Sequence, residues 1–231
     1  MAAGTARAYP QSVILATGPR MTVREAMATR SLFITRLYEA PLGGPASLNA
    51  ELEEACRMLA AEDRAGQAWS KEHGYRGDTS YASLDDLPRR ASAFGELKKQ
   101  LDRHAAAFAR DLHLDLGGRR LALDSLWANV LKPGGAHSGH LHPHSVISGT
   151  YYVTMPPGAS ALKLEDPRLP MMMAAPPRHA EAPEDARAFV YVPAQAGEVL
   201  MWESWLRHEV PANAARAERI SISFNYAWAN R

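Results

Sequence analysis

Four of the nine histidines crowd into the run GGAHSGHLHPHS, as His137, His140, His142 and His144. In an extended strand residues i and i+2 share a face, so His140 and His142 can turn both imidazoles toward one ion. Pro143 limits how far such a strand continues. Neutral imidazole is a common ligand for iron, zinc, copper and nickel; the alternative is a histidine-rich loop in water. A further histidine, His208, follows a short strand and the turn 203–207, and precedes Pro211. Beyond it the run RISISFNY alternates strictly: Ile220, Ile222 and Phe224 face one way, and Arg219, Ser221, Ser223 and Asn225 the other. That polar face either meets water or lines a cavity. In a cavity Arg219 needs an anionic partner to offset its desolvation. A planar guanidinium grips a carboxylate through two hydrogen bonds, and a hydroxyl two residues along adds a third.

These residues need a scaffold, and the texture of the chain after Gly118 describes one. Runs with strand chemistry at 121–131, 146–154, 161–164, 188–192, 198–202 and 219–226 alternate with Pro- and Gly-bearing turns. So many short strands predict a sandwich or barrel of the jelly-roll type. Residues 167–183, Pro-rich and containing Met171 to Met173, read as a long irregular insertion, either a lid or a surface loop. Before Gly118 the period is helical. Ser47 heads a helix with apolar positions Leu48, Leu52, Cys56 and Leu59, and after Pro88 a second stripe runs through Phe94, Leu97, Leu101, Ala105, Phe108 and Leu112. Residues 31–38 read as a strand, 69–87 as a loop, and 1–30 as a flexible tail with a short helix at 23–29. The organisation expected is a tail at 1–30 and one domain at 31–231, with a strand and helical support at 31–118 and the β core at 119–231.

A length of 231 residues suits one domain with an extension. The formal net charge of +1 gives no field to steer nucleic acid or an anionic membrane. No apolar run approaches the ~20 residues that span a bilayer, and the tract 13–16 is too short for the core of a signal peptide. The single cysteine, Cys56, lies on the first helical stripe and reads as a small buried hydrophobe. A cytoplasmic protein is expected.

The runs WANVLKPGG, HLHPHSVISGTYYV, LKLEDPRLP, GEVLMWESWLRHEVPAN and ERISISFNY resemble the 2-oxoglutarate/Fe(II) oxygenases of the prolyl-hydroxylase-like superfamily. The resemblance covers about residues 120–229 in detail and the earlier strand and helices in pattern. It implies a mainly β fold with flanking α-helices, a double-stranded β-helix (jelly roll) preceded by two amphipathic helices. It also implies Fe(II), the cosubstrate 2-oxoglutarate, an H-x-D/E…H metal triad and a downstream R-x-S that binds the distal carboxylate of 2-oxoglutarate. His140 matches the first triad histidine, His208 the distal one, and Arg219 and Ser221 the R-x-S pair. Tyr152, the second tyrosine of GTYYV, stands where relatives set a tyrosine against the same end of the cosubstrate.

The carboxylate position of the triad holds His142, which leaves the site one negative charge short. His142 as third ligand is the preferred reading. A carboxylate from Glu165 or Asp166, or two histidines and a water, are the alternatives. His137 and His144 then lie beside the site or in solvent. Asn129 reaches cosubstrate or substrate, or is an edge-strand polar residue. Arg168 contacts substrate or stabilises a turn, Trp202 and Trp205 pack beside His208, and Tyr75 and Tyr81 are simple residues of the long loop or, as the lesser reading, line a substrate entrance. The function implied is oxidation, by hydroxylation, of a small-molecule or peptide substrate, with homo-oligomer formation left open and no nucleic-acid or membrane partner. A cupin-type metalloprotein or a non-catalytic binding domain on the same fold is the alternative. A cupin lacks a reason for Arg219-x-Ser221, and the glutamate a cupin places a few residues after His142 is absent.

Overall fold

The computed structural model describes residues 29–229. The chain divides into a unit Met1–Ile34 and a unit Thr35–Arg231, and the second holds every element named below. The expected tail and its short helix lie outside the described residues, apart from residues 29 and 30. Residues 29–34 carry no regular secondary structure.

Ten strands form two antiparallel sheets. The six-stranded sheet has the order β1 (Leu37–Pro41), β8 (Glu198–Glu203), β5 (Ile147–Thr154), β10 (Arg219–Trp228), β3 (Leu121–Leu131), β2 (Gly77–Thr79). The four-stranded sheet has the order β4 (His137–His140), β9 (His208–Val210), β6 (Leu162–Glu165), β7 (Phe189–Val192). Strands β3 to β10 are shared between the two sheets in jelly-roll order, as the sequence predicts. β1 and β2 extend the larger sheet at its two edges. All six anticipated strands after Gly118 are present within a residue or two of their expected ends.

Three helices cover the outer face of the larger sheet: α1 (Leu48–Glu62), α2 (Arg64–Glu72) and α3 (Ser92–Asp111). The stripes foreseen on α1 and α3 are the buried ones, with Leu52, Cys56, Leu97 and Leu101 fully enclosed against Ile220, Ile222, Phe224 and Tyr226 of β10. A second, smaller cluster around Tyr152, Leu200, Trp202 and Leu206 belongs to the space between the sheets. Gly149 has no freedom to carry a side chain, because a Cβ there would meet the Phe224 ring and the Leu200 carbonyl at 2.5 Å.

Three local readings change. Ser47 occupies the N-cap of α1, but its side chain makes no capping bond. The predicted loop at 69–87 begins inside α2, which Asp63 caps by accepting from the Gly66 N–H at 3.0 Å, and it contains β2. α2 carries few apolar side chains and packs on β2 and α1, and β2 is only three residues long and is held by pairing with β3. The strand expected at 31–38 starts only at Leu37, where pairing with Trp202 of β8 begins. Leu32, Phe33 and Ile34 are exposed, since β-branched and aromatic residues form a strand only where an edge accepts them.

Candidate metal centre

His140 ends β4 and pairs across the smaller sheet with His208, which opens β9. His142 lies beyond the strand, so the strand-mate argument is not what aims it. The Leu141 side chain is exposed, the His142 N–H donates to the Ser204 carbonyl at 3.0 Å, and Pro143 and His144 then turn the chain, the latter with φ at +73°. That turn brings His142 back over the site. Ligating nitrogens of His140, His142 and His208 all lie within 4.8 Å of one another. The Nε2 atoms of His142 and His208 are 3.2 Å apart. Two nitrogens held about 2.1 Å from a common ion at 90–109° stand about 3.0–3.4 Å apart, so this pair already has the spacing of two ligands.

Backbone carbonyls set the tautomers. A carbonyl can only accept, so Nδ1–H of His208 donates to the Leu206 oxygen at 2.9 Å and Nδ1–H of His140 to the Ser138 oxygen at 2.7 Å. Each ring therefore presents Nε2 with its lone pair free. Burial, then the neighbouring imidazoles, pushes His208 down to about 3 and His142 down to about 4. His140 is lowered too, chiefly by burial. The rings are neutral at ordinary pH, the form that binds a metal. Among the described residues no carboxylate joins the cluster. Glu165 pairs with Arg207 at 3.2 Å and Asp166 with Arg168 at 2.8 Å. Both carboxylates are engaged away from the histidines.

Arg219 settles which way the polar face of β10 turns. It is 3% exposed, between the sheets, so this face lines an interior and does not meet water. Its Nη1 donates to Ser221 Oγ at 3.2 Å, and among the described residues its Nε has no hydrogen-bond partner. The guanidinium lies 5.1 Å from the centre of the Tyr152 ring, whose hydroxyl is also buried and unpartnered. Tyr152 sits across from Ser221 on β5, and Asn129 across from it on β3. A buried guanidinium with one hydroxyl for company is costly unless an anion completes it.

A family model described as "Putative 2OG-Fe(II) oxygenase" matches residues 125–225, a segment that contains all three clustered histidines, Tyr152, Arg219 and Ser221. Residues 125–225 are thus similar to the core of the 2OG-Fe(II) oxygenases. No curated protein matches the chain. Among solved structures, a Pseudomonas putida prolyl-4-hydroxylase is similar with a TM-score of 0.56 and 17% identity, over 85% of this chain and 94% of that one. The epimerase SnoN, in complex with Fe3+, alpha-ketoglutarate and nogalamycin RO, is similar with a TM-score of 0.58 and 15% identity, over 84% of this chain and 79% of that one. HygX from Streptomyces hygroscopicus, with nickel and 2-oxoglutarate bound, gives a TM-score of 0.54 and 15% identity, over 84% and 82%. At such identities the likeness is one of fold.

The residues present fit a metal ion and a carboxylate-bearing cosubstrate. Three ligating nitrogens converge as a metal requires, and the Arg219 Nε and Tyr152 hydroxyl supply donors for a carboxylate. Asn129 is not on an edge, because β2 pairs with β3 through Thr79. Its amide is taken up by neighbours, accepting from Thr79 Oγ1 at 2.8 Å and donating to Ser223 Oγ at 3.2 Å. Trp202 is buried edge-on to His208, whereas Trp205 is exposed because Leu206 takes the inward position of that turn. Arg168 holds Asp166 in a turn. His144 is exposed, and His137 stacks on His140 with centroids 4.8 Å apart. Tyr81 meets Trp127, whose ring lies 6.0 Å from His142. Trp127 was legible as an inward residue, since it shares strand parity with Asn129.

Proposed function

We propose that this protein is a non-haem iron, 2-oxoglutarate-dependent oxygenase that hydroxylates a small-molecule or peptide substrate in the cytoplasm. In this reading His140, His142 and His208 hold the metal, and Arg219, Ser221 and Tyr152 hold the distal carboxylate of the cosubstrate. Asn129 keeps this floor in place through Ser223 and has no direct contact. The single observation that carries the proposal is the pairing of two incomplete sites: three convergent neutral imidazoles and, beside them, a buried guanidinium without an anion. The buried, unpaired Cys56 supports the location.

Bound iron and 2-oxoglutarate supply the oxidising chemistry, using O₂ and releasing succinate and CO₂. The chain's own residues bind and orient. Leu206 and Ser138 carbonyls lock two imidazoles with Nε2 inward. Arg219 fixes the far end of the cosubstrate through a planar fork, and Ser221 keeps that fork in plane. The helix layer and the closed sheets keep water from the floor of the site. The test is an anaerobic titration of Fe(II)-loaded protein with 2-oxoglutarate, following the metal-to-ligand absorption band. Saturation at sub-millimolar cosubstrate is expected, and no band at millimolar concentration overturns the reading.

A further inference from the structure

Tyr75 lies outside the matched segment 125–225, in the connection between α2 and β2. β2 is the strand added at the β3 edge, and Gly77 pairs with Leu131, which in turn pairs with Arg219. The leading end of β2 is therefore two strands from the Arg219 backbone, about 10 Å across the sheet. A tight turn, in which the Gly77 N–H donates to the Tyr75 carbonyl at 2.9 Å, directs the chain just before that point. The loop is pinned there. The Arg76 carbonyl accepts from Lys132 at 3.2 Å and packs where a Cβ on Gly135 would have to be. The Tyr75 ring meets His137 edge-on, with centroids 5.5 Å apart, and His137 belongs to β4 of the opposite sheet. Tyr75 thus bridges the gap between the β2 edge of one sheet and the β4 edge of the other, on the Arg219 side of the histidines.

We propose that Tyr75 closes the carboxylate pocket and donates its phenolic hydrogen to the carboxylate that Arg219 holds, an inference that rests on the 2-oxoglutarate reading above. A carboxylate has about four acceptor positions. Arg219, Ser221 and Tyr152 approach it from the floor, and Tyr75 approaches from the open side. Burial pushes the Tyr75 phenol up while the Arg219 charge pulls it down, and the balance leaves it protonated, hence a donor.

The experiment is isothermal titration calorimetry on Ni(II)-loaded protein, comparing wild type with Tyr75→Phe. The ligands are 2-oxoglutarate and 2-oxobutyrate, which shares the metal-facing end but lacks the distal carboxylate. Tyr75→Phe should weaken 2-oxoglutarate by about ten- to a hundredfold, the range for a hydrogen bond to a charged group. It should leave 2-oxobutyrate, nickel content and the thermal midpoint unchanged. Equal 2-oxoglutarate affinity in the two proteins overturns the proposal, and so does an equal loss for both ligands, which would place Tyr75 at the metal end. Wild type that binds no 2-oxoglutarate would sink the oxygenase reading itself, a result distinct from the other two.

Discussion

A guanidinium in water costs nothing to keep charged, but Arg219 sits between two sheets with one neutral hydroxyl and the face of a phenol for company. If an anion completes it, Arg219→Ala removes one member of a desolvated pair, a loss of ~2–5 kcal/mol. Since ~1.4 kcal/mol is tenfold, 2-oxoglutarate affinity should fall about thirty- to several-thousandfold, read by anaerobic titration, while metal content stays at wild-type level. Lys at 219 should recover only part of the loss, being a point charge without the planar fork. An Arg219→Ala protein with wild-type affinity would return this residue to a structural role. His208 is the most enclosed of the three imidazoles and the one with its tautomer set by Leu206. His208→Ala should lose the metal on desalting, measured by elemental analysis. Retention of one metal per chain in that variant would remove His208 from the ligand set.

At the scale of elements, β10 explains why the site and the core share one strand. It is central in its sheet, flanked by β5 and β3, and both of its faces are enclosed. Ile220, Ile222, Phe224 and Tyr226 turn to the helices, while Arg219, Ser221, Ser223 and Asn225 turn to the smaller sheet. The helix layer therefore clamps the strand whose other face carries the buried Arg219. Tyr226 donates to Asp102 of α3 at 2.8 Å, and Tyr151 of β5 donates to Asn49 of α1 at 2.8 Å. Leu101, fully buried on α3, is the knob in this layer. Leu101→Ala should cost ~2–5 kcal/mol, seen as a lower urea midpoint with an unchanged slope. A shift below about 1 kcal/mol would mean that α3 packs loosely and does not brace the site.

At the scale of the molecule, the jelly roll brings together pieces far apart in the chain. β4 with its following turn and β9 carry the histidines, β5 and β10 carry Tyr152, Arg219 and Ser221, and the helical half supplies the outer wall. The wall can be tested through Cys56. Burial lifts its thiol to about 12, so at pH 8 only about one thiol in ten thousand is the reactive thiolate. A thiol reagent at pH 8 should leave the native protein unlabelled for hours and label one thiol per chain after denaturation. Rapid labelling of folded protein would show that the layer of α1 and α3 opens.

Much of this was legible from residue types and spacing. Strict alternation in RISISFNY located β10, the 3–4 stripes located α1 and α3, and the crowding of His140 and His142 marked the histidine cluster. Those signals are local, because burial of one face imposes its period on the chain itself. Three things were decided only by the tertiary structure. Alternation says that two faces differ but not what covers the polar one, and it took the second sheet to bury Arg219. His142 lies outside any strand, so its aim comes from Ser204 across the turn and not from strand parity. Tyr75 sits in a stretch without period, and only the pairing of β2 with β3 carries it to the carboxylate end. In each case the deciding partner is distant in sequence, and no local pattern records a contact that the chain makes only once it has closed.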